Sequence, residues 1–343
     1  MTDRRTMPMN HAPRDRKTRR WLKAAAVACC LTIVVGLSIL AMPGLDGGPA
    51  SRLAVGKGPG NEGAAPPSKP VSTPTSTASP SPVVTTGFTE TTQTVTIAGL
   101  TRTYVTFVPV HPAAVRIPAL VVLHGLGVTP DQEASRDGLI PLAFAGDAEL
   151  VYPAGYQESW DGGSCCGSAQ TSGIDDVSFV ATLLRQVQSD PAVSGDYLIG
   201  YSNGGKVAFR VGCADPTLMT GLISIHAVPG TACQPGPPVS LLQVASTKDA
   251  RVTYDSTTPT HVVGGFREAT VVAQVAAWRS RDACDGSPVA ATTGELGAQT
   301  WHCTAGTRVE LATYAGGDHT WPDGGNGTPS AAEVIWAFVT AGA

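Results

Sequence analysis

From Thr92 to the C-terminus the chain repeats one pattern, a short apolar run followed by a segment whose apolar residues recur every three or four positions. The runs Ala119–Leu123, Glu149–Tyr152, Tyr197–Gly200, Leu222–Ile225, Leu241–Val244 and Val309–Tyr314 are too short for buried helices and read as strands covered on both faces. Between them Val177, Val180, Leu184 and Val187, and again Val271, Val275 and Trp278, follow helical spacing, and Ser330 with Glu333 forms a capping box opening a last helix. Ahead of these, Thr92–Ile97 and Thr103–Val108 alternate polar and apolar residues about a turn at Gly99, as an antiparallel hairpin does. The pattern predicts one α/β domain over 89–343: a mostly parallel sheet, antiparallel at its N-terminal edge, with helices on both faces.

Upstream, the sequence changes character twice. Residues 44–88 are dominated by Gly, Pro, Ala, Ser and Thr, a composition that cannot bury enough apolar surface to offset the entropy of ordering, and they are expected to form a disordered spacer. Residues 1–43 join a basic head to the uncharged run Ala24–Met42, the order of a secretory signal peptide or an inside-positive signal anchor. Arg19 and Arg20 also give it some likeness to a twin-arginine export signal. Export to the outside, secreted or held at the outer face of the membrane through this segment, is the expectation. Of 23 basic and 27 acidic residues, eight and two lie in the first 23 positions, so the remainder carries 15 against 25, a net of −10. A body this acidic is a poor partner for phosphate backbones, which argues against nucleic acid.

Gly200-Tyr201-Ser202-Asn203-Gly204 follows an apolar strand and precedes a helical segment. A G-x-S-x-G at such a turn is the nucleophile elbow of α/β-hydrolases: the glycines allow a tight bend that lifts the serine hydroxyl above the sheet. A serine needs a histidine as general base and a carboxylate to orient it, and in this fold they follow in the order Ser, acid, His. His319 lies just after the strand ending at Tyr314 and before the final helix, whereas His261 and His302 have no strand leading in and His226 ends a strand. Asp249 follows the Leu241–Val244 strand on the same rim, with Asp255 as runner-up, and Asp318 is read as shaping the base's loop. The expected triad is Ser202, Asp249 and His319. The two N–H donors for an oxyanion are expected from Asn203, after the nucleophile, and from Leu126 in the His124-Gly125-Leu126-Gly127 loop. Trp160 and Trp321 are read as walls of an acyl or aryl pocket.

LVVLHGLG at 120–127, VYPAGY at 151–156, WDGGSCCG at 160–167, DDVSFV at 175–180, GYSNGG at 200–205 and GGDHTWP at 316–322 together resemble the polyhydroxybutyrate depolymerase-type esterases, grouped with feruloyl and acetylxylan esterases and more distantly with mycolyltransferases. The likeness covers roughly 92–343. It implies a serine carboxylesterase acting through an acyl-enzyme, without metal or organic cofactor, on an ester substrate that can be polymer-borne, and it assigns Ser202, Asp249 from VASTKDARVTY, and His319. Lys206 stands where the family commonly has an apolar residue, and Asp161 where asparagine is frequent. An envelope acyltransferase and a catalytically silent wall-associated module are the competing readings, and a monomer is expected.

Cys29 and Cys30 fall in the apolar run, and Cys165, Cys166, Cys213, Cys233, Cys284 and Cys303 lie beyond it, an even number suited to disulfides in an exported domain. No C-x-x-C pair points to zinc. Cys284 and Cys303 flank a polar insertion between a helix and the last strand and are expected to pair, constraining the loop that carries His319, while the other four allow three pairings. Only Ala227–Pro238 separates two consecutive strands where a lid is often inserted, too short a stretch for a helical lid, so the site should be open.

Overall fold

The computed structural model describes residues 76–78, 83, 84, 86–233, 236–255 and 261–342, all within the unit Lys69–Ala343. The basic head, the apolar run with Cys29 and Cys30, and most of the expected spacer lie outside the described residues. The exceptions are residues 86–88 and the strands β1 (Ser76–Ala78) and β2 (Val83–Val84), whose backbones pair antiparallel with β3 (Phe88–Ile97).

β3 (Phe88–Ile97) and β4 (Leu100–Pro109) form the expected hairpin, in register from Phe88 opposite Pro109 to Ile97 opposite Leu100. Its turn sets Gly99 at φ +83°, a conformation glycine adopts without strain. The chain then enters β5 (Ile117–Leu123), passes α1 (Pro130–Arg136) and α2 (Ile140–Ala145), and returns in β6 (Glu149–Pro153) between β4 and β5. α3 (Gly167–Thr171) and α4 (Asp176–Gln188) lead to β7 (Val193–Tyr201), α5 (Asn203–Ala214) to β8 (Gly221–Ile225), and β9 (Ser240–Ser246) follows without a helix among the described residues between. A small ribbon of β10 (Val262–Val263) and β11 (Phe266–Arg267) precedes α6 (Val271–Arg281). β12 (Val289–Thr293), β13 (Leu296–His302), β14 (Arg308–Tyr314) and α7 (Ala331–Ala341) complete the fold, α7 opening with the capping box of Ser330 and Glu333.

The order β6-β5-β7-β8-β9-β14 is parallel throughout, as the uninterrupted apolar runs require. Alternate residues of β5 serve two cores. Ala119, Val121 and Leu123 pack toward Phe179, Val207 and Phe209, and Leu120 and Val122 toward Leu139, Ile335 and Phe338. Each parallel strand therefore meets a helical layer on either face, which fixes its level in the sheet.

Two expectations are corrected. The sheet is antiparallel at both edges, because the segment read as a polar insertion is the hairpin β12–β13, which adds to β14. Every residue of β12 is exposed, so the strand has no buried face to leave a pattern in the sequence. Cys284 does pair with Cys303, but the bridge sits beside the start of β14, where His302 opposes Arg308, whereas the loop of His319 leaves the far end. The bridge closes the base of the hairpin and does not constrain that loop. The remaining pairs are Cys165–Cys166 and Cys213–Cys233.

Candidate active site

The parallel strands β5, β7, β8 and β9 end on one rim, where ligands and catalytic groups of open α/β sheets collect. Ser202 stands at the tip of β7 with φ +52°, an uncommon conformation for a residue with a side chain, and its N–H is held by the Ile225 carbonyl at 2.9 Å. The sequence permits the bend. A Cβ on Gly200 would come within 2.6 Å of the Gly204 carbonyl and the Gly205 backbone, and one on Gly204 within 2.5 Å of the carbonyls of Leu123 and His124. The start of α5, just after Ser202, thus packs directly on the end of β5.

Ser202 Oγ lies 2.8 Å from His319 Nε2, and His319 Nδ1 lies 2.8 Å from Asp249 Oδ2. With Asp249 ionised, Nδ1 carries the proton and Nε2 is left to accept from the serine. The other oxygen of Asp249 accepts from the backbone N–H of Arg251 at 2.7 Å and Val252 at 2.9 Å, which fixes the carboxylate plane. Burial alone would raise Asp249, but the bonds from His319, Val252 and Arg251 outweigh it and hold the carboxyl below its usual range. Asp255, the runner-up, is exposed, and Asp318 accepts from Thr320 N–H within its own loop. The shape of the loop and the contact to His319 Nδ1 are therefore served by different carboxylates.

The loop after β5 is clamped from several sides. His124 donates from Nδ1 to the Gly125 carbonyl at 2.8 Å and accepts from Gly155 N–H at 2.9 Å, while Gly125 N–H donates to the buried Glu133 carboxylate at 3.3 Å and Gly127 N–H to the Glu158 carbonyl at 2.8 Å. Among the described residues no acceptor is paired with Leu126 N–H. Asn203 is the first residue of α5, so its N–H has no acceptor within the helix. These are the two donors the sequence singled out.

Trp160 is corrected. Its ring is fully buried, its indole N–H donates to the His124 carbonyl at 2.9 Å, and its backbone exchanges two hydrogen bonds with the Asn203 amide at 2.8 and 3.0 Å. It is a core residue joining the loop after β5 to the start of α5, with no face left for substrate. Trp321 is also buried, with its ring edge-on to Tyr201 at 5.7 Å, so it braces the loop of His319. The apolar surface that does open outward beside the donors is Leu126, 49% exposed. Lys206 and Asp161, the departures noted in the motifs, turn inward: Lys206 pairs with buried Glu268, and Asp161 with Arg210 at 3.1 Å.

Two neighbours were missed. Tyr201, at the end of β7, lies beside His319, and its hydroxyl donates to the His319 carbonyl at 2.6 Å. His226, just past β8 at φ +49°, lies 5.6 Å ring to ring from His319 and is wholly buried. Its position one residue beyond a strand on the Ser202 rim was the available signal.

The chain is 28% identical over 262 residues to putative esterase NocK of Nocardia uniformis subsp. tsuyamanensis, a match spanning 69% of this chain and 75% of that protein. No known protein-family profile matches it. Among solved structures, the glucuronoyl esterase from Solibacter usitatus superposes with a TM-score of 0.51 at 15% identity, covering 81% of this chain and 88% of that one. The acetyl xylan esterase from Aspergillus awamori gives 0.45 at 12%, covering 64% and 89%. With this sheet and rim the chain has the α/β-hydrolase fold, and in sequence it is similar to a putative esterase, as its motifs implied.

Proposed function

We propose that this chain is an exported serine carboxylesterase with Ser202 as nucleophile, His319 as general base and Asp249 as the group that orients it. The observation that carries the reading is the unbroken relay Ser202 Oγ to His319 Nε2 to His319 Nδ1 to Asp249 Oδ2, with both contacts at 2.8 Å. The hydroxyl attacks an ester carbonyl as its proton passes to Nε2. The carbonyl oxygen becomes anionic and is met by the N–H groups of Asn203 and Leu126, donors fixed in advance by the clamped loop and the helix start. His319 returns the proton to the departing alcohol. Water, activated by the same Nε2, then releases the acid from the acyl-enzyme.

Short-chain or aromatic esters, free or on a polymer, fit this site best. The described residues between β8 and β9 form no helix that could cap it, and Leu126, 49% exposed, offers an apolar surface beside the donors. The N-terminal basic and apolar segment supports export and, where retained, attachment to the membrane, with the catalytic unit acting as a monomer.

Turnover of nitrophenyl butyrate, compared between the wild-type chain and Ser202→Ala and paired with fluorophosphonate labelling, tests the reading. Loss of turnover by several orders of magnitude together with loss of labelling is expected. A Ser202→Ala chain that keeps near-wild-type turnover would refute it. Rates should fall as the acyl chain lengthens from about four to sixteen carbons, because an open site gains little transition-state binding from a long chain.

A further inference from the structure

His226 takes no part in the chemistry above, yet it stands against the triad. Its side chain is fully buried, Nε2 lies 3.1 Å from Ser246 Oγ, and Nδ1 has no hydrogen-bond partner among the described residues. That nitrogen faces Asp249 Oδ2 at 3.8 Å, the same oxygen that meets His319 Nδ1 at 2.8 Å. One donor atom from each of His226, Asp249 and His319 lies within 4.8 Å of the other two.

Two imidazole nitrogens converging on one carboxylate oxygen are a donor set suited to zinc and its neighbours in the first transition row. A four-coordinate ion with ligands at about 2.0–2.1 Å holds its donor atoms roughly 3.4 Å apart, so adjustments on the order of an ångström would seat it. The outer contacts are already of the right kind. Ser246 holds the far nitrogen of His226, Ser202 that of His319, and two backbone N–H groups hold the far oxygen of Asp249.

We propose that His226, Asp249 and His319 form a three-ligand site for a divalent cation of the zinc class, and that its occupancy silences Ser202. The cation takes the Nδ1 lone pair of His319, whose single proton then resides on Nε2. From there the ring can no longer accept the proton of Ser202, and Asp249 Oδ2 no longer holds Nδ1–H. Binding rests on the three side chains alone, whereas inhibition also rests on the proposed catalytic roles of Ser202 and His319.

The test uses the full chain carrying Ser202→Ala, stripped of metal and titrated near neutral pH with zinc by calorimetry, then with Co2+ by visible absorption. One site per chain with the spectrum of a four-coordinate ion is expected. Adding His226→Asn, which puts a weak zinc ligand near the Nδ1 position, should weaken binding more than tenfold, since loss of outer-shell partners alone costs about 10–100-fold. In the wild-type chain turnover should fall in parallel with zinc occupancy and return with a chelator. Absence of zinc binding up to about 1 mM, a binding free energy weaker than about −4 kcal/mol, overturns the proposal. So does an octahedral Co2+ spectrum, or unchanged affinity in a folded His226→Asn chain. Zinc bound here without loss of turnover overturns the inhibition. A wild-type chain inert toward every ester leaves calorimetry and the Co2+ spectrum to decide the site, so the two readings fail separately.

Discussion

Tyr201, the residue immediately before the proposed nucleophile, holds the loop of the proposed base: its hydroxyl donates a 2.6 Å hydrogen bond to the His319 carbonyl. Burial pushes the phenol above its ordinary range, against the opposing charge of Arg136, whose guanidinium lies 4.7 Å over the ring. The hydroxyl therefore stays a donor at any working pH. Tyr201→Phe keeps the ring against Trp321 and removes only this bond. We expect kcat on a nitrophenyl ester to fall about tenfold with KM little changed, because positioning and not substrate binding is lost. A stability loss of about 1 kcal/mol by denaturant titration should accompany it. Unchanged kcat would mean that the loop is held by other contacts.

The identity of the acid separates two aspartates six residues apart. Asp249→Asn should lower kcat by about 10³–10⁴, since an amide at Oδ2 favours the wrong His319 tautomer. Asp255→Asn, at an exposed position, should leave kcat unchanged. The reverse outcome in steady-state kinetics would move the role to Asp255.

Asn203 has separate duties in backbone and side chain. Its amide is buried and bonded to both the N–H and the carbonyl of Trp160. Asn203→Ala strands both groups, and a loss of roughly 2–4 kcal/mol is expected from urea unfolding. Asn203→Asp should also destabilise, because a carboxylate can accept from Trp160 N–H but has no donor for its carbonyl. If either variant unfolds like the wild type, the clamp contributes little.

Histidine protonation sets an acid limit on the loop after β5. Burial, helped by the charges of Arg136 and Arg102 and opposed by the bond to Gly125, lowers His124 from 6.5 to about 4. Its Nε2 accepts from Gly155 N–H, so a second ring proton would set two donors against each other. Between the two values the unfolded chain binds the proton and the folded chain does not, so stability rises with pH across that window and is lost as pH falls from about 6.5 toward 4. The unfolding free energy of wild type relative to His124→Asn should therefore drop by about 3 kcal/mol over this range, the shift converted at 1.36 kcal/mol per unit. A difference that stays flat with pH would show that His124 titrates normally.

Buried parallel strands were legible in the sequence because both faces are covered and each run is apolar without interruption, as in β5 and β8. The elbow was legible because glycine is required at Gly200 and Gly204 by backbone approach. β12 was not, since a strand exposed along its whole length carries no apolar period. Trp160 was placed wrongly because a tryptophan near a site looks the same in sequence whether its ring faces solvent or a core, and the hydrogen bonds that decide this come from His124 and Asn203, distant in the chain. His226 was passed over for a similar reason: its neighbours Asp249 and His319 meet it only once β8, β9 and β14 lie side by side.

The connection from β8 to β9 is stitched to the rest of the molecule at two points. Cys233 is bridged to Cys213 in α5, and Gly230 lies so close to Gly162 that a Cβ there would come within 2.3 Å of the Gly162 carbonyl. An inserted domain at this connection would have to accommodate both the bridge and the close backbone approach. Neither stitch touches the rim loop 318–330, which carries His319. Libraries built to change what the protein accepts should be placed there.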